Sequence, residues 1–152
     1  MTTGSHQPQG RVQAHRYHDI SCGHRVFGHE SKCAHLHGHN YRIHFTLEGE
    51  LDKVGRVLDF SVIKSVLCQW LEEEWDHKFL IWKDDEVAYL LLDIDKTGVI
   101  LVPFNPTAEN MAKHLVEVVG PRLLGGRGVR LTDVKVEETA KCHASYHLTT
   151  EK

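Results

Sequence analysis

No C-x-x-C pair occurs among the four cysteines, Cys22, Cys33, Cys68 and Cys142, which stand 11, 35 and 74 positions apart. That spacing argues against a thiolate zinc finger and against a disulfide framework. Basic charge is not in surplus: 18 Lys and Arg against 21 Asp and Glu leave a net charge of −3. The chain therefore lacks the positive field that dominates nucleic-acid binding, and no DNA or RNA partner is expected. No stretch approaches the roughly 20 apolar residues of a membrane span, and the polar start MTTGSHQPQG has no apolar segment of a secretory signal. A cytoplasmic protein with no membrane partner is the expectation. Disorder is not the default, because 152 residues at 41% apolar and 26% charged can bury a real core. Residues 1–10 are expected to be a disordered leader and 11–152 a single domain.

Periodicity supplies the elements. From Val12 to about Phe27, β-branched and aromatic residues without helical spacing suggest a strand. Tyr41, Ile43, Phe45 and Leu47 alternate with Arg42, His44, Thr46 and Glu48, the period of a strand with one covered face. After a turn around Asp52 and Gly55, the stripe Ile63, Val66, Leu67, Trp70, Leu71 and Glu74, with only Glu74 polar, predicts a helix over 61–75, capped near Asp59 or Ser61. Between Trp82 and Val102 the pattern supports only a short helix near Val87–Leu92 and an extended run at Val99–Val102. Asn105-Pro106-Thr107 sets a cap and a proline at a second helix start, whose stripe Ala108, Met111, Ala112, Leu115, Val116 and Val119 runs to Gly120-Pro121. Val129–Glu138 and Cys142–Leu148 read as strands. The order ββααββ fits an α+β domain, an antiparallel four-stranded sheet with two helices on one face.

What the chain has in abundance is histidine, 13 residues, nine of them within the first 44 positions. The densest segment is Cys33-Ala34-His35-Leu36-His37-Gly38-His39. On a straight strand, residues i and i+2 share a face about 6.6 Å apart and can share one ion, whereas i and i+4 are about 13 Å apart and cannot. The segment therefore offers two ligands, His35 with His37 or His37 with His39. A third would come from His24, with His29 as its rival. Three nitrogens leave a fourth position open, the catalytic rather than structural pattern for zinc, although other divalent ions fit the same set. A row of solvated surface histidines is the bland alternative. Cys33 weighs against it, because a thiol four residues before a ligand can lie beside the open position and act as base or nucleophile. Cys68, in a helical stripe, reads as a small buried hydrophobe.

His24, the block Lys32-Cys33-x-x-x-His37-Gly38-His39-Asn40-Tyr41, Gly55-x-Val57-x-Asp59-Phe60, Asp76-His77-Lys78, Pro106-Thr107-Ala108-Glu109-Asn110 and Glu138-Thr139 together resemble the 6-pyruvoyl-tetrahydropterin synthase family, from about Tyr17 to Tyr146. The resemblance implies the tunnelling fold (T-fold), and it implies zinc held by His24, His37 and His39. It makes Cys33 the catalytic thiol, with Asp76 and His77 beside it as an acid–base pair. A pterin presents two parallel donors on one edge, which a carboxylate matches, and the resemblance gives that role to Glu138. Glu137 is a competitor, since only one of two strand neighbours points into a site. Thr107 is implied as a pterin contact as well as a helix cap. Adjacent Asp76 and His77 can meet only on an irregular segment.

The implied substrate is a small-molecule pterin triphosphate, 7,8-dihydroneopterin triphosphate. The three-residue spacing between Cys33 and His37 resembles the bacterial 6-carboxy-tetrahydropterin synthases of queuosine biosynthesis, lyases that release acetaldehyde. A 6-pyruvoyl-tetrahydropterin synthase is the alternative, and a non-catalytic metal-binding protein a remote one. The family's trimers and hexamers imply a homo-oligomer with sites at subunit boundaries, and an open sheet has a physical reason for it, since ring closure removes unpaired edges. Residues 83–103 are longer than in the shortest family members.

Overall fold

Alternation builds the centre of the sheet. In the computed structural model, which describes residues 4 and 7–149, strands β1 (Gln13–His24) and β2 (His37–Gly49) run antiparallel, from Gln13 opposite Glu48 to His24 opposite His37. Ile20, Tyr41, Ile43, Phe45 and Leu47 turn to one face and are buried, while Tyr17, Asp19, Asn40 and Arg42 turn to the other and stay exposed. Each large apolar side chain so buried contributes about 1.5–3 kcal/mol. Of the expected leader, residues 1–3, 5 and 6 lie outside the described residues.

Two helices cover the apolar face. Helix α1 spans 60–74 as Phe60–Ile63, one π-type turn at Lys64–Cys68 and Gln69–Glu74. Asp59 is its cap, accepting from the Ser61 N–H at 2.8 Å. A second long helix covers 108–124 in the same manner, as Ala108–His114, a π-type turn at Leu115–Val119 and Gly120–Leu124. It packs so tightly on the sheet that a Cβ at Gly120 would lie 2.9 Å from the Leu131 Cβ. Ile63, Leu67, Leu71, Met111 and Leu115 from these helices meet Ile43, Phe45, Val134 and Val136 in one core. The cap of the second long helix is Thr107, whose Oγ1 accepts from the Asn110 N–H at 3.1 Å. Pro121, expected to end it, instead follows the π-type turn, where the regular ladder is already interrupted.

The expected four-stranded antiparallel sheet is corrected to a mixed sheet of six strands. Strands β3 (Phe79–Trp82) and β4 (Val99–Val102) join it in parallel, β3 against Gly23 and His24 of β1. With β5 (Val129–Glu137) and β6 (His143–His147) the order is β4-β3-β1-β2-β5-β6. Helix α2 (Ala88–Ile94) links β3 to β4, so the long helix at 108–124 is α3 and the helices number three rather than two among the described residues. The reason β3 was illegible is physical. Leu80 packs into the main core while Ile81, its neighbour on the opposite face, packs with Ala88 and Val99 in a second cluster. A strand covered on both faces shows no alternation. Among the described residues no helix is long and apolar enough to cross a membrane.

Candidate metal centre

His24, His37 and His39 converge on the side of the sheet that α1 and α3 cover, with one nitrogen from each within 4.8 Å of the others. The register explains it. His24 lies opposite His37 and Cys22 opposite His39, so these side chains share the face of Ile20 and Tyr41. The glycine between the two histidines is needed for close approach, because a Cβ at Gly38 would stand 2.8 Å from the Cys22 carbonyl oxygen and 3.2 Å from the Gly23 Cα. Of the open alternatives, His35 lies outside the trio, exposed at the end of the 3-10 turn Lys32–Ala34. His29 accepts from the Ser31 N–H at 2.9 Å in the same loop.

Two backbone carbonyls orient the rings. The His24 Nδ1–H donates to the Pro106 carbonyl at 2.7 Å and the His37 Nδ1–H to the His35 carbonyl at 2.8 Å. Both Nε2 atoms are thereby left as lone pairs, and they stand 3.1 Å apart. Facing lone pairs repel unless a cation or proton lies between them, and two nitrogens on one tetrahedral zinc stand about 3.3 Å apart. His39 Nε2 is buried with no hydrogen-bond partner; Glu138 Oε1 is 3.3 Å away but out of line. Burial first, then neighbouring imidazoles, pushes His24 and His39 below the ordinary histidine pKa, against the opposing pull of Glu138. Neutral imidazoles with outer nitrogens fixed by carbonyls are the ligand form that a divalent metal requires. The residues present fit a three-nitrogen metal site.

Around the trio, Tyr41 is fully buried with its hydroxyl 3.2 Å from His24 Nδ1. Burial, with Cys22, Glu138 and Cys33 nearby, pushes its phenol far upward, so it stays neutral. Tyr41 continues the spacing His37, His39, Tyr41 on one strand face; the alternation marks it as a covered strand residue but not as a neighbour of His24. The two carbonyl partners, from Pro106 and His35, leave no sequence signal. Cys33 is half-buried in the turn Lys32–Ala34, and its carbonyl accepts from the Val26 N–H at 3.0 Å. Glu138 follows β5 on the trio's side, whereas Glu137 faces away and accepts from His44 Nε2–H at 2.6 Å. Thr107 caps α3, next to the Pro106 carbonyl that holds His24. Arg25 faces Asp85 and Glu86, each at 3.5 Å.

Asp76 and His77 lie elsewhere within one chain. Asp76 Oδ1 accepts from the Ser21 N–H at 2.9 Å, the His77 N–H donates to the Ser21 carbonyl at 2.7 Å, and the His77 Nδ1–H donates to Asp76 Oδ2 at 2.8 Å. The neighbours meet because His77 has a left-handed backbone, φ 59°. Although burial works against it, the Ser21 N–H and His77 hold the Asp76 carboxyl below its ordinary range. The pair lines a cleft of about 660 Å³ with Asp19, Ser21, Asn40, Arg42 and Glu137. Asn40 and Arg42 point to the face opposite the two long helices, so the cleft opens on the side of the sheet opposite the trio.

A family model described as 6-pyruvoyl tetrahydropterin synthase matches residues 13–149. A curated relative from Rickettsia felis, 6-carboxy-5,6,7,8-tetrahydropterin synthase, is 34% identical over 133 residues, which cover 86% of this chain and 96% of that protein. One of the same name from Haemophilus influenzae is 29% identical, covering 81% and 89%. Among solved structures, an uncharacterized protein from Wolinella succinogenes superposes with a TM-score of 0.79 at 26% identity, covering 91% of this chain and 99% of that one. The Caenorhabditis elegans 6-pyruvoyl tetrahydropterin synthase superposes with a TM-score of 0.65 at 27% identity, covering 93% and 100%.

Proposed function

Because the chain belongs to the 6-pyruvoyl tetrahydropterin synthase family of enzymes, we propose that it is the lyase that converts 7,8-dihydroneopterin triphosphate and water to 6-carboxy-5,6,7,8-tetrahydropterin, acetaldehyde and triphosphate, in the cytoplasm and in the service of queuosine or another 7-deazapurine. The observation that carries the reading is the trio, with His24 and His37 Nε2 atoms 3.1 Å apart and both outer nitrogens satisfied by carbonyls. His24, His37 and His39 hold Zn2+, which, when bound, makes hydroxyls of the substrate side chain and the C–H bonds beside them more acidic.

The chain's own groups do the rest. Cys33, as thiolate, takes a proton from the side-chain carbon, and the Glu138 carboxylate accepts the two parallel donors on the pterin edge. Thr107, at the N-terminus of α3, adds a contact to the ring. His77 shuttles protons and assists departure of triphosphate, with Asp76 fixing its tautomer. Since this pair opens on the face of the sheet opposite the trio, it serves the trio of a neighbouring copy, and the working unit is a homo-oligomer, a trimer or hexamer.

Incubation with 7,8-dihydroneopterin triphosphate and mass analysis of the pterin tests the reading. A carboxy product supports it; a pyruvoyl product moves the chain to the second reading, 6-pyruvoyl tetrahydropterin synthase, which the Caenorhabditis elegans likeness favours. Turnover undiminished in Cys33→Ala, with several weakly held ions per chain, would instead indicate a non-catalytic metal-binding protein.

A further inference from the structure

The loop between β1 and β2 carries Cys33 and has few attachments of its own. Its internal ties include the Val26 N–H to the Cys33 carbonyl at 3.0 Å, which makes residues 26 and 33 the neck of the loop. The Phe27 ring packs on Trp82 with centroids 6.0 Å apart, and the Phe27 backbone is gripped by the Asn105 side chain. Asn105 Oδ1 accepts from the Phe27 N–H at 3.0 Å, and its Nδ2–H donates to the Phe27 carbonyl at 2.8 Å. The carboxamide thus pairs with Phe27 as a strand neighbour would, using a donor and an acceptor in one plane.

The anchor is itself fixed. The Asn105 carbonyl accepts from the Thr107 N–H at 2.7 Å and from Asn110 Nδ2–H at 2.9 Å, so both arise at the start of α3. The next residue, Pro106, is buried and supplies the carbonyl that orients the His24 ring. Residues 105 and 106 therefore hold the thiol loop and a trio histidine from one rigid point.

We propose that Asn105 is a positioning residue, which sets the Cys33 loop at a fixed distance from the histidine trio by pairing with the Phe27 backbone. It touches no reacting atom. The proposal rests on the function above for the role of Cys33 but not for the geometry. The chemistry of the side chain is specific. Aspartate keeps the acceptor for the Phe27 N–H and loses the donor to the Phe27 carbonyl, and alanine leaves both half-buried backbone groups without this partner. Losing two net hydrogen bonds opens a local equilibrium by about tenfold or more.

The test compares wild type with Asn105→Ala and Asn105→Asp in the metal-loaded protein. Alkylation of Cys33 by iodoacetamide is read by peptide mass spectrometry against exposed Cys142 in the same molecules, together with amide exchange at Phe27, metal content and steady-state kinetics. In Asn105→Ala the Cys33 to Cys142 rate ratio rises about tenfold and Phe27 exchange accelerates, with metal content unchanged. The value of kcat falls about tenfold while KM stays within about threefold. Asn105→Asp keeps one bond but turns a carboxylate oxygen toward the Phe27 carbonyl, so it too raises the ratio and lowers kcat, and it decides the matter if the alanine variant does not fold. A Cys33 to Cys142 ratio within twofold of wild type in the folded variants overturns the proposal, as does a raised ratio with wild-type kcat. If wild type does not turn over this substrate, the function is wrong, and alkylation and exchange still decide whether Asn105 holds the loop.

Discussion

Replacing Asp76 by asparagine alters one charge and one tautomer while sparing the backbone contact. The amide oxygen can still accept from the Ser21 N–H, which the carboxylate meets at 2.9 Å. The other end of the side chain becomes a donor facing His77 Nδ1, now 2.8 Å from a carboxylate oxygen. His77 must then present Nδ1 as acceptor and Nε2 as N–H, the reverse of the tautomer a general base needs. The ground-state cost is small. Hydrogen bonds to charged groups contribute about 1.5–3 kcal/mol, but the His77 side chain is 81% exposed in the single chain, so solvent screening reduces this to about 1 kcal/mol or less. The cost in rate is larger, since a wrong-tautomer histidine in an otherwise intact acid–base pair loses up to about 10⁴ in turnover. A fall in kcat of about 10²–10³ is expected, with Tm within a few degrees of wild type, measured by acetaldehyde release and thermal melts. A kcat within threefold of wild type would refute the acid–base assignment of the pair.

Cys33→Ala should retain the metal and lose about 10²–10⁴ of the turnover; parallel loss of metal would show that the thiol is a ligand instead. Gly38→Ala should cost about 1–3 kcal/mol of stability and weaken metal binding, because the new methyl meets the Cys22 carbonyl, and an unchanged zinc affinity would refute the close-approach argument. His114, between Trp75 and Phe104, is pushed below the ordinary histidine pKa by burial and then by Arg122. The unfolded chain takes up that proton near pH 6.5 and the folded one does not, so stability is complete above this pH and is lost as pH falls through the folded value. Metal-free wild type should therefore lose more Tm between pH 7 and pH 5.5 than metal-free His114→Gln, and equal losses would contradict the assignment.

Legibility in the sequence followed the number of covered faces. β2 alternates because its face away from α1 and α3 is exposed, and α1 shows a single apolar stripe because Glu72, Glu73 and Glu74 face water, Glu74 lying outside the buried stripe in which its spacing sets it. β3 carries no such contrast, since Leu80 and Ile81 are both fully buried on opposite sides, and the parallel pair β3 and β4 was missed or left without a partner. The candidate site divides in the same way. Strand spacing alone narrowed the histidines to pairs around His37, and the register with β1 adds His24. The carbonyls of Pro106 and His35, and the hold of Asn105 on Phe27, depend on segments far apart in the chain folding together. No local pattern encodes them. The Asp76–His77 pair was legible as a motif, but its place on the other face of the sheet from the trio required the strand order.

The central claim is that the trio and the groups around it cut a carbon–carbon bond of the pterin side chain. Zinc-loaded protein given 7,8-dihydroneopterin triphosphate should release one acetaldehyde for each substrate consumed and yield 6-carboxy-5,6,7,8-tetrahydropterin, with both products absent in His37→Ala. Consumption of substrate to a pyruvoyl pterin without acetaldehyde, or full acetaldehyde release by His37→Ala, would contradict it.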